Sequence, residues 1–291
     1  MKTCIKCKCE LKQNIWNCLK CGYKPQIKDG RPILSLESNE QKDIGFEVEF
    51  FNRLIKVEEN SFWFCARNKL INWAIKNYFP DINNFFEVGC GTGFVLSGIN
   101  RAFPDIDLYG SEGLAEGLKF ASKRVPVATL FQMDARNIPF KEEFEVVGAF
   151  DMLEHIADDK KVLDQIYKAV KPGGGLILTV PQHMFLWSKV DEFSHHVRRY
   201  SSKELKAKVE SCGFKVVRMT SFITFLLPLF VLSRLLRFKS SKSKKEDMSE
   251  FNLNKYLNLL LEKVLDLERL LIKLGVSLPV GSSLFLVANK D

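Results

Sequence analysis

Five cysteines stand within the first 21 residues, and their spacing is typical of a metal site. Cys4 and Cys7 form one Cys-x-x-Cys pair, and Cys18 and Cys21 form a second, ten residues further along the chain. A short hairpin could bring these four thiolates into a tetrahedron around one structural zinc ion. Cys9 could replace a neighbouring ligand, and a set of inert thiols is the alternative. Because a module of about 30 residues has too small a core to fold unaided, we predict that it binds zinc.

A second group of reactive side chains follows an apolar run near the middle of the chain. Asp151, Glu154 and His155 have i, i+3, i+4 spacing, so on a helix they would share one face. They could hold a divalent cation there. His155 could instead act as a general base, with Asp151 and His195 as further catalytic candidates, or it could simply pack. The four histidines of the chain are His155, His183, His195 and His196.

Two adjacent arginines follow the last of these histidines. Arg198 and Arg199 could hold a phosphate or a carboxylate of a substrate. They could equally form a structural ion-pair cluster with Asp191 and Glu192. The sequence leaves both interpretations open.

A strand, a glycine turn and a helix that could position such groups begin at Asn84. Residues 84–88 form a short apolar strand, Gly89, Gly91 and Gly93 form the turn, and a predicted helix follows. The glycines allow a sharp bend and close approach of the backbone to a ligand, while the helix start offers free N–H groups. Glu112 ends the next predicted strand, where a carboxylate can accept hydrogen bonds from ribose hydroxyls. The turn therefore predicts a nucleoside-containing ligand.

Four motifs in order resemble those of class I S-adenosylmethionine-dependent methyltransferases, over roughly residues 57–220. They are Glu87-x-Gly89-x-Gly91-x-Gly93, Glu112, Asp134-Ala135 and Lys171-Pro172-Gly173-Gly174. The resemblance implies a doubly wound α/β fold, with a seven-stranded, mostly parallel, Rossmann-like sheet. It also implies a methyltransferase activity with S-adenosylmethionine as the cofactor.

The same resemblance assigns the cofactor residues. Gly89, Gly91 and Gly93 would pass under the methionine part, Glu112 would hold the ribose, and Asp134 with Ala135 would meet the adenine. Further candidates for cofactor binding are Glu87, Asp151 and Arg67, of which Arg67 could pair with the methionine carboxylate or lie in solvent.

The acceptor of the methyl group is less sharply indicated. The run from Asp151 to His155 is similar to that of ubiquinone-pathway O-methyltransferases, which favours a small-molecule or lipid-linked acceptor. A zinc module joined to a methyltransferase and basic segments also resembles ribosomal RNA guanine methyltransferases, so RNA is the rival acceptor. A cofactor-binding protein without catalysis is the third alternative.

The remaining sequence defines the domain organisation. We predict a zinc-ribbon-like module at residues 1–30, a linker at 31–56, the methyltransferase core at 57–220, a helical insertion at 221–282 and the last core strand at 283–291. Apolar runs at residues 127–132, 146–150, 176–180 and 214–219 predict further strands, and residues 60–79 predict a helix. No apolar stretch typical of a signal peptide follows Met1, so we expect a cytoplasmic protein.

The insertion combines aliphatic and basic residues. Residues 222–238 are rich in leucine and contain a proline and two arginines, which is too short and too broken to span a bilayer. Lys239, Lys242, Lys244 and Lys245 follow, a pattern typical of a helix lying on an anionic membrane surface. A later stripe could pack on the first helix, on the core or in a homo-oligomer. Its members are Leu253, Leu257, Leu260, Val264, Leu267, Leu271 and Leu274.

Overall fold

The computed structural model of this chain describes residues 1–12, 15–35, 48–237 and 253–291. Within these residues the centre of the molecule is one nine-stranded sheet. The strands, in chain order, are β1 (Ile27–Lys28), β2 (Arg31–Leu34), β3 (Asn84–Val88), β4 (Asp107–Glu112), β5 (Thr129–Met133), β6 (Phe144–Phe150), β7 (Val170–Pro181), β8 (Lys215–Phe222) and β9 (Ser283–Asn289).

The sheet is doubly wound. Across it the strands follow the order β1-β2-β5-β4-β3-β6-β7-β9-β8. Strands β2 to β7 run parallel, whereas β9 is antiparallel to both β7 and β8. The chain runs outward from β3 to β5, then returns to the other side of β3 with β6. Ligands of such sheets bind at the carboxyl ends of the strands beside this reversal. The predicted fold class is confirmed.

Two strands extend the predicted seven-stranded sheet at one edge. Strand β1 pairs with β2 through a two-residue turn at Asp29 and Gly30, both with positive φ. Asp-Gly is a favoured sequence for such a turn. Strand β2 then pairs in parallel with β5, placing Ile33 opposite Gln132. The range predicted as a linker, residues 31–56, therefore contains a strand of the sheet and the start of a helix.

Helices cover both faces of the sheet. They are α1 (Val48–Val57), α2 (Phe62–Tyr78), α3 (Phe94–Ala102), α4 (Ala115–Arg124), α5 (Asp159–Ala169), α6 (Lys189–Phe193), α7 (Ser202–Ser211), α8 (Leu227–Arg237) and α9 (Lys255–Lys273). Helices α2, α3, α4 and α9 bury apolar side chains in one cluster, and α5 and α7 do so in the other. The helix predicted at residues 60–79 is α2.

The insertion before β9 forms two helices, α8 and α9. Leu265 and Ile272 of α9 are fully buried, but Leu260, Leu267 and Leu274 of the predicted stripe are more than half exposed. The stripe therefore lies at the border of the packed face: its members Leu253 and Val264 pack against the core cluster, whereas the fully buried Leu265 and Ile272 are not part of it. In the part of the chain that the structure describes, no helix is both long and apolar enough to cross a membrane. The basic run at residues 239–245 lies outside the described residues.

Candidate functional site

The glycine turn after β3 has the geometry that its sequence predicts. Gly89, Gly91 and Gly93 have φ of 76°, 50° and 76°, values that residues with a side chain rarely adopt. The N–H groups of Gly89 and Cys90 both donate to the carbonyl of Ser111 at 2.8 Å, which ties the turn to the end of β4. Helix α3 begins at the next residue, Phe94, so its start faces the same edge of the sheet.

Glu112 lies at the end of β4, beside this turn. Its Oε2 accepts the Gly91 N–H at 3.0 Å, and its Oε1 accepts the Leu114 N–H at 3.1 Å. Burial raises the pKa of Glu112, although these backbone N–H groups act in the opposite direction. Each carboxylate oxygen still has a lone pair available for a ligand hydroxyl.

The loop after β5 carries the residues predicted to meet the adenine. Asp134 accepts the Arg136 guanidinium at 3.0 Å from Nε and 2.8 Å from Nη2. Asp134 and Ala135 both line the same cavity as Glu112. The loop thus offers its backbone and one paired carboxylate to a ligand.

A single cavity of about 590 Å³ unites these elements at the carboxyl ends of the strands. This volume lies within the range of about 300–1,000 Å³ usual for ligand sites. Two predicted site residues, Gly93 and His195, do not line the cavity. Gly93 immediately precedes α3, and the His195 side chain is exposed to solvent. The predicted site residues that line it are Arg67, Glu87, Gly89, Gly91, Glu112, Asp134, Ala135, Asp151, Glu154 and His155.

Glu87 is a buried carboxyl at the floor of the cavity. Burial raises the pKa of Glu87 well above its usual value, while the nearby Arg67 charge acts against this. Among the described residues, its Oε2 has no hydrogen-bond partner. A buried polar atom without a partner is costly, so this oxygen is suited to a donor group of a ligand such as an ammonium.

Arg67 of α2 crosses the cavity wall to Asp151. Its Nη1 donates to Asp151 Oδ2, which also accepts the Thr179 hydroxyl at 2.9 Å. The Arg67 guanidinium lies 4.6 Å from the centre of the Trp63 ring, so α2 contributes a cation and an aromatic wall together. Arg67 and Asp151 thus line the cavity as an ion pair.

Glu58, which is not among the predicted site residues, anchors the segment formed by α1 and the 3₁₀ turn after it. This segment lines one wall of the cavity, and we call it the cover. Glu58 is 4% exposed and lies in the short 3₁₀ turn between α1 and α2. Its carboxylate accepts the Thr92 hydroxyl and the Arg124 Nη1, each at 2.7 Å. Its neighbour Glu59 is exposed. The two acids are adjacent in the sequence, and nothing in the local pattern predicts which of them is buried. The contact that makes Glu58 important is with residues more than 30 positions away.

The structure groups Glu154 and His155 with a different third residue from the one predicted for the cation site. Asp151 is paired with Arg67, and the segment after it forms only a 3₁₀ turn from Leu153 to His155. The expected helical face therefore does not form. The structure instead brings Glu154, His155 and His196 together, with their ligand atoms within 4.8 Å of one another. This set, rather than Asp151, Glu154 and His155, could hold a divalent cation.

The two histidines of this group differ in their surroundings. Burial, and then the neighbouring His196, lower the pKa of His155 to about 3. The rings of His155 and His196 are 4.7 Å apart, and His196 Nδ1 lies 2.9 Å from Asp191 Oδ1. Burial and the nearby Asp151 charge raise the pKa of Glu154 well above its usual value. Burial thus disfavours a charge on His155, whereas the His196 ring lies against the Asp191 carboxylate.

The two arginines form internal ion pairs. Arg199 donates to Asp191 at 2.7 Å and 3.0 Å, and Arg198 donates to Asp159 at 2.9 Å. Asp159 also accepts the Tyr200 hydroxyl and the Lys208 ammonium, each at 2.6 Å. The structural interpretation describes this cluster with one correction: Asp191 is a partner as predicted, but Arg198 pairs with Asp159 and not with Glu192. It fixes the loop that carries His196.

The cysteine module has the geometry of a zinc site. Cys4 and Cys21 Sγ atoms are 3.6 Å apart, as are those of Cys7 and Cys18, and all four lie within 4.8 Å of one another. A tetrahedron with Zn–S bonds of about 2.3 Å has edges of about 3.8 Å, so these thiols fit zinc. Cys9 Sγ is 3.3 Å from Cys18 Sγ, close enough to exchange with a ligand.

The module packs on the loop that lines the adenine end of the cavity. Thr3 N–H donates to the Pro139 carbonyl at 2.9 Å, and Lys141 N–H donates to the Met1 carbonyl at 2.8 Å. Trp16 packs edge-on against Phe131 and Phe140, with ring centres 5.9 Å and 5.7 Å away. The cysteine module therefore braces residues 134–141 from outside.

Comparison with known proteins identifies the family. The methyltransferase domain family matches residues 59–219, more than half of the chain. The chain belongs to this family, and its sheet is that of the class I S-adenosylmethionine-dependent methyltransferases. The predicted family is confirmed, and the cavity at the glycine turn is the candidate site for its cofactor.

Curated relatives show the same relationship at a distance. A ubiquinone biosynthesis O-methyltransferase of Hydrogenovibrio crunogenus is 27% identical over 150 residues, which are 44% of this chain and 57% of the relative. A bifunctional biotin biosynthesis protein of Teredinibacter turnerae is 26% identical over 46% of this chain and 27% of its own length. The aligned part thus spans little more than half of these relatives at most.

Solved structures share the fold. Phosphoethanolamine N-methyltransferase 2 of Haemonchus contortus, in complex with S-adenosyl-L-methionine, has a TM-score of 0.51 and 21% identity over 76% of this chain and 52% of its own. A Thermotoga maritima S-adenosylmethionine-dependent methyltransferase, described as a possible histamine N-methyltransferase, has a TM-score of 0.53 and 18% identity over 87% of this chain and 100% of its own.

Proposed function

We propose that this protein transfers a methyl group from S-adenosylmethionine to a nucleophile on an apolar, lipid-linked acceptor. The observation that carries the proposal is one cavity whose lining includes the predicted cofactor residues, the histidine pair His155 and His196, and apolar side chains. The bound cofactor would supply an electrophilic methyl group on its sulfonium centre. The protein's part is then to position two ligands and to take up a proton.

The cofactor would be held by the residues around the glycine turn. Glu112 would accept the ribose hydroxyls, and Glu87 would face the ammonium of the methionine part. The Arg67 and Asp151 pair would lie beside the same end. The proposal requires no rearrangement of the turn, because its three glycines already have positive φ.

The acceptor end is built from His155, His196 and apolar side chains. Phe62, Trp63 and Phe230 line the same cavity, and Phe230 belongs to the insertion. We propose that an acceptor hydroxyl would lose its proton to the histidine pair, and that Asp191 would balance the resulting charge on His196. Glu154, His155 and His196 are also the residues that a divalent cation would use.

An apolar acceptor is supported by the insertion. Phe230 brings the leucine-rich helix α8 to the cavity wall, whereas recognition of single-stranded RNA would need exposed aromatic side chains among basic ones. RNA is the alternative acceptor. A protein that binds the cofactor without catalysis is the second alternative function. We further propose that zinc occupies the cysteine module in a structural role.

Methyl transfer from labelled cofactor to cell extract tests the acceptor class. We expect label in the organic phase after solvent extraction. Label in precipitated RNA would support RNA as the acceptor, and cofactor binding without methyl transfer would support the non-catalytic alternative.

Substitution of the two histidines tests the proton acceptor. His155→Gln and His196→Gln should each lower kcat by about 10²–10⁴-fold with unchanged cofactor affinity. His195→Gln is the matched control and should keep full activity, because that side chain lies outside the cavity lining.

A further inference from the structure

Helix α9 is apolar on two opposite sides. One side packs inward on α2, where Leu265 and Ile272 are fully buried. A helix that is apolar all round is normally covered on both sides. The opposite side of α9 and the turn after it nevertheless expose large apolar residues. These are Tyr256, Leu257, Leu259, Leu260, Leu267, Leu270 and Leu274.

The charged residues of α9 are sorted between the two sides. Glu262 and Asp266 pair with Lys69 of α2 at 2.6 Å and 3.0 Å. Glu268 is fully buried and accepts two backbone N–H groups just before α8, at 2.8 Å and 2.9 Å. All three acids of α9, which is described throughout its length, thus have partners on the inward side, and Asp266 also pairs with Arg269 at 2.8 Å and with the exposed Lys263 at 3.6 Å.

Lysines are the most exposed charged residues on the outward side of α9, and one of them, Lys263, lies 3.6 Å from Asp266. Lys255, Lys263 and Lys273 are exposed there or at its border. Basic and aliphatic side chains on one helix face are typical of helices that lie in the interface of an anionic bilayer. The sequence that joins the two helices adds four lysines, at residues 239–245.

Helix α8 connects this surface to the cavity. Leu229 and Leu232 are 55% and 52% exposed, while Phe230, between them, lines the cavity. The Glu268 contacts fasten the start of α8 to α9. We define the outward residues of α8 and α9, namely Leu229, Leu232, Tyr256, Leu259, Leu260, Lys263, Leu267, Leu270 and Leu274, as the lysine–leucine face.

We propose that the lysine–leucine face binds the surface of an anionic lipid bilayer, with α9 lying along the membrane. The inference deepens the proposed function, on which its biological sense rests, because a lipid-linked acceptor could pass from the bilayer past α8 into the cavity. A second copy of the chain is a poorer occupant, since a self-complementary contact would bring the lysines of two helices together. Asp266, the acid of α9 that pairs with Lys263, is already shared with Lys69 and Arg269.

Vesicle flotation tests the proposal with the full-length protein. We expect binding to vesicles of phosphatidylcholine with 30% phosphatidylglycerol, taken as roughly the anionic share of a bacterial-type surface. Binding should fall at least about tenfold with phosphatidylcholine alone or in high salt. Leu260→Glu with Leu267→Glu should also weaken binding at least about tenfold. Val127→Glu, at a 68% exposed apolar position on another part of the surface, is the control and should bind like the parent.

Each remaining outcome decides the matter. No flotation of the parent protein, or equal flotation of the Leu260→Glu, Leu267→Glu variant, would overturn the proposal. A parent dimer in light scattering that this variant converts to a monomer would assign the face to a second copy instead. The variant should keep its affinity for S-adenosylhomocysteine, which shows that it is folded. Flotation without any methyl transfer would count against the proposed function and leave the membrane contact standing.

Discussion

Replacement of Glu112 tests the cofactor site most directly. Its two oxygens accept N–H groups from Gly91 and Leu114 at 3.0 Å and 3.1 Å, and each oxygen can accept one more hydrogen bond. Glu112→Ala removes all of these acceptors. Glu112→Gln keeps the shape, but it places an NH₂ group against one of the backbone donors and can accept from only one ribose hydroxyl.

The magnitude follows from the number of hydrogen bonds lost. A hydrogen bond to a charged group contributes about 1.5–3 kcal/mol, and part of this is regained from water. We expect Glu112→Ala to weaken S-adenosylhomocysteine binding by about 1–3 kcal/mol, or roughly 5- to 150-fold in Kd. Glu112→Gln should lie between Glu112→Ala and the parent. Both variants should also unfold at a lower temperature, because backbone donors of the turn lose their acceptor.

Titration calorimetry with S-adenosylhomocysteine measures the effect. Glu210→Gln, on α7 and outside the cavity lining, controls for the loss of one carboxylate charge. Unchanged affinity in folded Glu112→Ala would refute the ribose assignment. A lower melting temperature with intact affinity would mean that Glu112 serves only to hold the turn.

Three further predictions concern the supports of the site. Asp159→Asn should lower the free energy of unfolding by about 2–4 kcal/mol in urea at pH 7. Burial raises the pKa of Asp159, but its partners Lys208, Tyr200 and Arg198 lower it, and the net effect is a lowered pKa. The parent should therefore lose the stability that Asp159 contributes as the pH falls below about 4. The variant should show a flatter dependence of stability on pH. Chelation of zinc, or Cys18→Ser, should lower both the melting temperature and the affinity for S-adenosylhomocysteine, because the cysteine module braces residues 134–141. The control Leu19→Ser, at an 84% exposed position, should change neither quantity. Glu58→Gln should weaken cofactor binding about 3- to 10-fold through the loosened cover, whereas equal effects of Glu58→Gln and Glu59→Gln would contradict the role of the Thr92 and Arg124 contacts.

Local sequence patterns predicted the strands, the turn and the cysteine module well. The glycine turn needs positive φ at three positions, and an apolar strand and a helix must flank it, so a short stretch of sequence specifies this unit. The same holds for the Cys-x-x-Cys pairs. The sequence does not reveal strand β2, because its three half-buried residues and one buried leucine carry little periodicity, although the Asp29-Gly30 turn is a usable signal.

Side-chain partners across the fold could not be predicted in the same way. The i, i+3, i+4 pattern suggested that Asp151 would join Glu154 and His155, but Arg67, 84 positions earlier, pairs with it. His195 and His196 are adjacent in sequence, and only the direction of one loop places His196 in the cavity. Glu58 and Glu59 differ in the same respect.

The sequence by itself determined the fold class, the cofactor turn and the cysteine spacing, because these depend on residues close together in the chain and on backbone preferences of glycine and apolar residues. The tertiary structure alone decided which histidine lines the cavity, which acid is buried against Thr92 and Arg124, and which side of α9 faces outward. A helix with leucines all round can pack by either side. The ion pairs with Lys69, the buried Glu268, and Asn258, which accepts the Phe62 N–H at 2.8 Å, favour the side that turns inward.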